Sequence, residues 1–369
     1  MRTRPTFFAA AAAVAALALT SCDSADDAEQ ALEQEQDSTA DDTDQDDGAG
    51  TDDGEEPLSI LCSPAEELCE AWVTAFEQET GIETSVVRQS AGDAAATLAA
   101  SAEGTPEYDV WHGGTVDAFI SAIENDLLAA YDSPVRADLD PEVVDEDGYW
   151  SGVYVGALGF CSNQEVLDEL GVDAPESWDD LLDPALDGEI MMAHPASSGT
   201  AYTMLYSQLE RLGGEDEAFD FLSSFNANVF QYTQSGSAPA TAAGDGEAAV
   251  SIVFAHDCIT HQEQGYDLTL TFPQEGTGHE LGAVAMISGT ENESAAQQYI
   301  DWSLSPDAQD LGPEADAFQV LTHPDAADDE RMVDMDEITL LDYDFAAAGA
   351  ARDELSQRFD DEIAEEPEE

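Results

Sequence analysis

Apolar residues in this chain fall into short runs that alternate with helix-spaced patterns. Leu58-Ser59-Ile60-Leu61-Cys62 reads as a strand. Ser63-Pro64-Ala65-Glu66 then carries the marks of a helix start: a small polar cap, a proline in the first turn and acids near the N-terminus. Leu68, Trp72, Val73 and Phe76 recur at helical spacing, and Gly81 ends the pattern. Residues 82–87 predict a second strand with Arg88 at its end, and Ser90-Ala91-Gly92-Asp93 opens an alanine-rich helix. Residues 108–111 predict a third strand, which runs into Gly113-Gly114-Thr115 and a helix through Phe119, Ile123 and Leu127. Such strand–helix alternation predicts a parallel α/β sheet.

The pattern changes near residue 150. Residues 153–160 form a long apolar run with few turn signals, read as a strand that crosses between lobes. A short helix at 178–182 stops before Pro184. A strand at 189–193 leads into His194-Pro195-Ala196-Ser197-Ser198-Gly199-Thr200 and a helix over 202–212. Ser235-Gly236-Ser237 precedes another alanine-rich helix, and a strand over 248–254 ends at His256-Asp257. Glu280 precedes the apolar run 281–287, the expected return crossing. An amphipathic stretch at 295–304, a helix near 350–360 and an acidic tail follow. The expected architecture is an α/β clamshell: two lobes with two crossovers, each lobe a mixed or parallel sheet flanked by helices. Residues 58–150 begin lobe 1, 151–283 form lobe 2, and 284–369 complete lobe 1.

Four Ser/Gly segments stand at strand-to-helix junctions: around Ser90, Gly114-Thr115, Ser198-Gly199 and Ser235–Ser237. Helix starts expose unpaired N–H groups and the positive end of the helix dipole, which hold anions without a lysine. That property matters here, because 83 Asp/Glu face eight Lys+Arg and every one of the eight is arginine. An acid excess of this size argues against nucleic acid or an anionic membrane surface as partner. A surface adapted to high salt, where charge repulsion is screened, is the expected reading, with a specific cationic partner as the alternative. In α/β sheets ligands lie outside the carboxyl ends of the strands, so the four loops are expected to face one cleft.

The N-terminus has a basic start, an apolar core and small residues before Cys22, the marks of a secretory signal over residues 1–21. Leu19-Thr20-Ser21-Cys22 resembles the lipobox of bacterial lipoproteins, which implies lipidation of Cys22 and a membrane anchor. Sixteen acids and no base in residues 23–56 predict a solvated tether over 22–57, too polar to fold. Cys62, Cys69, Cys161 and Cys258 remain, an even number in an exported chain, so two disulfides are expected. Cys62–Cys69 and Cys161–Cys258 are the expected pairs among three possible connectivities.

The body resembles the bacterial extracellular solute-binding proteins of ABC importers, in particular the group labelled iron(III)-type. The resemblance rests on Ala75-Phe76-Glu77-Gln78-Glu79-Thr80-Gly81-Ile82, Asp109-Val110-Trp111-His112-Gly113-Gly114-Thr115, Tyr154–Phe160, Pro195–Tyr202, Gln231–Pro239 and Trp302–Gln309. It implies the periplasmic-binding-protein-like fold, closure on one small ligand, and delivery to a membrane permease and its ATPase. Iron-binding members hold Fe³⁺ with adjacent tyrosines near the place where this chain has Ala255-His256-Asp257. No Tyr-Tyr pair occurs here. His256-Asp257 with Glu280 looks like the organophosphate branch, whose members take up hexose phosphates: the His helps hold phosphate, and the Asp and Glu bind sugar hydroxyls.

The candidate ligand residues are Arg88, Ser90, Gly114, Thr115, Ser197, Ser198, Gly199, Thr200, Ser235, Ser237, His256, Asp257 and Glu280. Arg88 can grip phosphate bidentately, while the hydroxyls also suit helix caps. Trp111, Tyr202 and Phe254 suit the core better than a sugar stack. The expectation is a monomeric, non-enzymatic receptor without cofactor or resident metal, for a small anionic solute such as a sugar phosphate or phosphonate. A ferric or iron-chelate receptor is the alternative. A surface sensor and a secreted hydrolase are lesser ones, the hydrolase lacking a Gly-x-Ser-x-Gly elbow.

Overall fold

A computed structural model of the chain describes residues 57–102 and 104–364. The expected signal peptide, Cys22 and the tether apart from Pro57 lie outside the described residues. In chain order the elements are β1 (Leu58–Cys62), α1 (Glu66–Thr80), β2 (Thr84–Arg88), α2 (Ala91–Ala100), β3 (Val110–Thr115), α3 (Val116–Glu124), β4 (Leu128–Ala129) and β5 (Ser151–Asn163). Then come α4 (Gln164–Leu170), β6 (Ile190–Ala193), α5 (Gly199–Leu212), α6 (Glu215–Asn226), β7 (Val229–Thr233), α7 (Ala238–Gly244), β8 (Val250–Phe254) and α8 (Ala255–Glu263). The remainder is β9 (Leu268–Thr271), β10 (His279–Ile287), α9 (Glu293–Ser303), α10 (Pro306–Gln309), α11 (Leu311–Glu314), β11 (Val320–Leu321) and α12 (Phe345–Phe359).

The strands run in the order β2-β1-β3-β10-β5-β8-β6-β7. β1 pairs in parallel with β2 and β3, and β10 lies antiparallel between β3 and β5. Side chains of β1 alternate between two cores. Leu58 and Ile60 pack with Trp72, Phe76 and Tyr299, while Leu61 packs with Trp111 and Phe119 on the other face. Burial on both faces explains why Ile60, Leu61 and Cys62 are apolar in succession. In α1 the helical spacing brings Leu68, Trp72, Val73 and Phe76 onto that first core, each worth about 1.5–3 kcal/mol when fully buried. Gly81 then ends the helix at φ 76°, where a side chain is strained.

β5 carries the chain between lobes. Through Ala157 it pairs with β10, and from Leu158 with β8 and β9. The return crossing is residues 272–278, not the expected 281–287, since β10 lies wholly in the first sheet. Pro273 and Gly276, the latter at φ 111°, interrupt strand structure there. The strands of the second lobe therefore run from Leu158 to Thr271, inside the 151–283 expected from the sequence. α12 also departs from its expected place in lobe 1. Leu355 and Phe359 are buried in the core of the second lobe, while Gly349 lies against Ile120 of α3. The helix straps both lobes.

Two disulfides join β1 to α1 (Cys62–Cys69) and β5 to α8 (Cys161–Cys258). His112 on β3 stacks on Trp72 at 3.8 Å and its Nδ1 lies 2.9 Å from Tyr299 Oη. Burial pushes this imidazole down to about 3, so as pH falls the unfolded chain takes up its proton first. The stability from this site is complete above about pH 6.5 and is lost toward pH 3, at up to about 1.4 kcal/mol per pH unit. Urea unfolding at a series of pH values checks this: His112→Gln should lose less stability than the parent between pH 6.5 and pH 4.

Candidate ligand-binding cleft

Between the lobes lies a cleft of about 370 Å³, within the range of about 300–1,000 Å³ found for small-molecule sites. The strand-to-helix junctions build it. The β1–α1 loop supplies Ser63, β2–α2 supplies Arg88 and Ser90, and β3–α3 supplies Gly114 and Thr115. From the other lobe come Ser198, Gly199 and Thr200 at the start of α5, Ser237 at the start of α7, and His256 and Asp257 at the start of α8. Glu280 enters from β10, Tyr154 from β5 and Gln319 from the segment before β11.

Arg88 is the one arginine among the described residues that line the cleft. Its Nη1 donates to Ser90 Oγ at 3.2 Å and its Nη2 to Ser235 Oγ at 3.2 Å; its Nε donates to Pro64 O at 3.0 Å. Desolvation lowers its pKa while Asp257, the leading charged neighbour, raises it. His256, Asp257 and Glu280 make a second cluster. His256 Nε2 is 3.8 Å from both Asp257 Oδ1 and Glu280 Oε1, too far for a hydrogen bond. Burial pushes His256 down to about 3, so these are contacts of a neutral ring and not ion pairs. Burial likewise pushes Asp257 up to about 7 against the pull of Arg88. Glu280 is raised well above the usual carboxylate range by burial, Asp257 and Asp117. Gly156, opposite Glu280 on β5, admits this cluster: a Cβ there would sit 3.0 Å from Glu280 Oε1 and 3.1 Å from His256 Nδ1.

Several expected ligand groups are otherwise engaged. Ser197 and Ser235 do not line the cleft. Ser197 Oγ donates to His194 O and Gln234 O, and its carbonyl accepts from Gly92 N–H at 3.0 Å and Asp93 N–H at 3.3 Å. The N-terminus of α2 thus engages the opposite lobe instead of presenting those two N–H groups to an anion. Gly114 N–H donates to Tyr154 Oη at 3.0 Å, which withdraws it as an anion donor. Trp111 and Tyr202 are core residues, whereas Phe254 reaches the lining. Ser63, Tyr154 and Gln319 belong to the site but not to the sequence reading. Ser63 carried the same strand-to-helix signal as Ser90; Tyr154 and Gln319 carried none.

The lobes touch on both sides of the cleft, through Ser197 and α2 and through Thr260 Oγ1, which donates to Asp316 O at 2.7 Å. A Cβ on Gly92 would meet Ala196 O at 2.2 Å. Gly92→Ala should therefore hold the lobes apart. It is expected to weaken ligand binding by about tenfold or more and to raise the radius of gyration in X-ray scattering, with the unfolding midpoint little changed.

A family model of bacterial extracellular solute-binding proteins matches residues 108–348. The periplasmic binding protein AfuA of Actinobacillus pleuropneumoniae, solved with exogenous fructose-6-phosphate bound, is 39% identical with a TM-score of 0.81; the match covers 84% of this chain and 98% of that one. An uncharacterized protein of Haemophilus influenzae is 38% identical over 79% of this chain and 86% of its own length. A Fe(3+)-binding periplasmic protein of Serratia marcescens is 22% identical over 81% and 88%.

Proposed function

Because the chain belongs to the bacterial extracellular solute-binding proteins, the extracytoplasmic receptors of ABC importers, we propose that its cleft captures a small phosphorylated organic solute, such as a sugar phosphate or phosphonate, and delivers it to a membrane permease. One observation carries this reading. A single arginine with a ring of hydroxyls shares the cleft with His256, the half-buried Asp257 and the buried Glu280, whose carboxyl groups stand 3.8 Å from His256 Nε2, beyond hydrogen-bond reach. The arginine and hydroxyls suit a phosphate; Asp257 and Glu280 suit the hydroxyls of a sugar or the ammonium of an aminophosphonate. The 39% identical AfuA, with fructose-6-phosphate bound, supports the same class. Ferric iron wants phenolate and carboxylate oxygens, and burial with Glu280 nearby holds the hydroxyl of Tyr154, the one tyrosine among the described lining residues, well above the usual phenol range.

A thermal-shift panel of hexose phosphates, phosphonates, inorganic phosphate and ferric citrate tests the reading. A ligand at a hundredfold excess over Kd adds about 2.7 kcal/mol of stability, so a phosphoester should raise the unfolding temperature by several degrees. Tight Fe³⁺ binding with no response to any phosphoester would sink the proposal.

A further inference from the structure

Thr115 stands at the start of α3 and lines the cleft, yet its hydroxyl does not cap the helix. It donates instead to Asp117 Oδ1. Asp117 is wholly buried, and Arg352 Nη1, carried by α12, donates to the same oxygen at 3.1 Å. Tyr343 Oη donates to the other carboxylate oxygen at 3.4 Å. Arg352 is itself 4% exposed, with its guanidinium 4.4 Å above the Tyr202 ring, and Tyr202 Oη donates to Ala348 O in α12. The wall behind Thr115 is therefore a locked pair reached from the C-terminal strap.

The chemistry of that wall fixes a direction. A carboxylate paired with a guanidinium only accepts hydrogen bonds, and a threonine hydroxyl has one proton and two lone pairs. With its proton committed to Asp117, Thr115 Oγ1 has lone pairs alone to offer the cleft. Facing a phosphate oxygen those lone pairs repel; facing an O–H they accept.

We propose that Thr115 Oγ1 is an acceptor position of the cleft, held so by Asp117 and Arg352, and that it reads a hydroxyl of the ligand's organic part and not a phosphate oxygen. This rests on the reading of the cleft as a site for a phosphorylated organic solute and assigns one of its contacts. Thr115 is the specificity residue. Arg352 acts through Asp117 and is a positioning residue.

Calorimetry with two probes, glucose 6-phosphate and inorganic phosphate, measures the claim. Thr115→Val removes the acceptor at nearly constant volume and should weaken glucose 6-phosphate about tenfold while leaving inorganic phosphate within about twofold. Arg352→Gln should shift the ratio of the two affinities in the same direction, and Arg352→Lys should restore part of it. Mere structural damage lowers both affinities together, so equal losses, or none, in Thr115→Val overturn the proposal. Neutron diffraction of the deuterated wild-type protein decides the direction without any ligand. The Thr115 deuteron is expected between Oγ1 and Asp117; a deuteron aimed into the cleft overturns the proposal. A wild-type protein that binds neither probe would count against the phosphorylated-solute reading, and the deuteron position would still decide this one.

Discussion

Arg88→Gln is expected to weaken phosphoester binding by about a hundredfold, equivalent to about 2.7 kcal/mol, the range found for hydrogen bonds to charged groups. The chain leaves little to replace this side chain. Eight Lys+Arg are set against 83 acids, and Arg88 is the one arginine among the described residues that line the cleft. Two helix-start donors are committed elsewhere, with Gly92 and Asp93 N–H on the Ser197 carbonyl. Gly114 N–H is committed to Tyr154. The surrounding acids supply no long-range attraction for an anion, so the contact at Arg88 has to be made locally. Arg88→Lys keeps the charge without the planar fork and should recover part of the loss. Calorimetry reads all three proteins, and unchanged affinity in Arg88→Gln would remove the arginine from the site.

The second large effect concerns stability. Replacing both Cys161 and Cys258 with alanine should cost about 4–5 kcal/mol in urea unfolding, because the bridge closes a loop of nearly a hundred residues in the unfolded chain. The sequence separation is 97 for this pair and 7 for Cys62–Cys69. Loss of the shorter bridge should cost about 2.5 kcal/mol by the same loop-closure argument. The longer bridge ties β5, the crossing strand, to α8, which bears His256 and Asp257. Its loss should therefore loosen the His256 cluster as well. A smaller loss for the Cys161–Cys258 pair than for Cys62–Cys69 would show that loop entropy does not govern these bridges.

Much of the first lobe was legible in the sequence because its strands are short apolar runs, each followed by Ser or Gly before a helix. β1, β2 and β3 follow that rule, and each hands the chain to a helix whose start lies at the cleft. β10 was not legible in its place. An apolar run says that a strand is buried but not which sheet buries it, and here it lies antiparallel between β3 and β5. The strap was hidden for a different reason. Nothing in the sequence sets Arg352 apart from the other arginines, and only the fold shows it buried against Asp117. At the site, residue types in the Ser/Gly loops were readable but side-chain direction was not. Ser198 lines the cleft while its neighbour Ser197 turns to His194 and Gln234. Tyr154 and Gln319 arrive through topology alone, from segments more than 150 residues apart in sequence.

The most direct test of a phosphorylated solute in the interlobe cleft is a crystal structure of the protein grown with glucose 6-phosphate. The phosphorus is expected within reach of the Arg88 guanidinium and Ser90, with sugar hydroxyls on Asp257 and Glu280. A phosphate seated away from Arg88, or a cleft that excludes the sugar phosphate and holds a ferric ion, would contradict it.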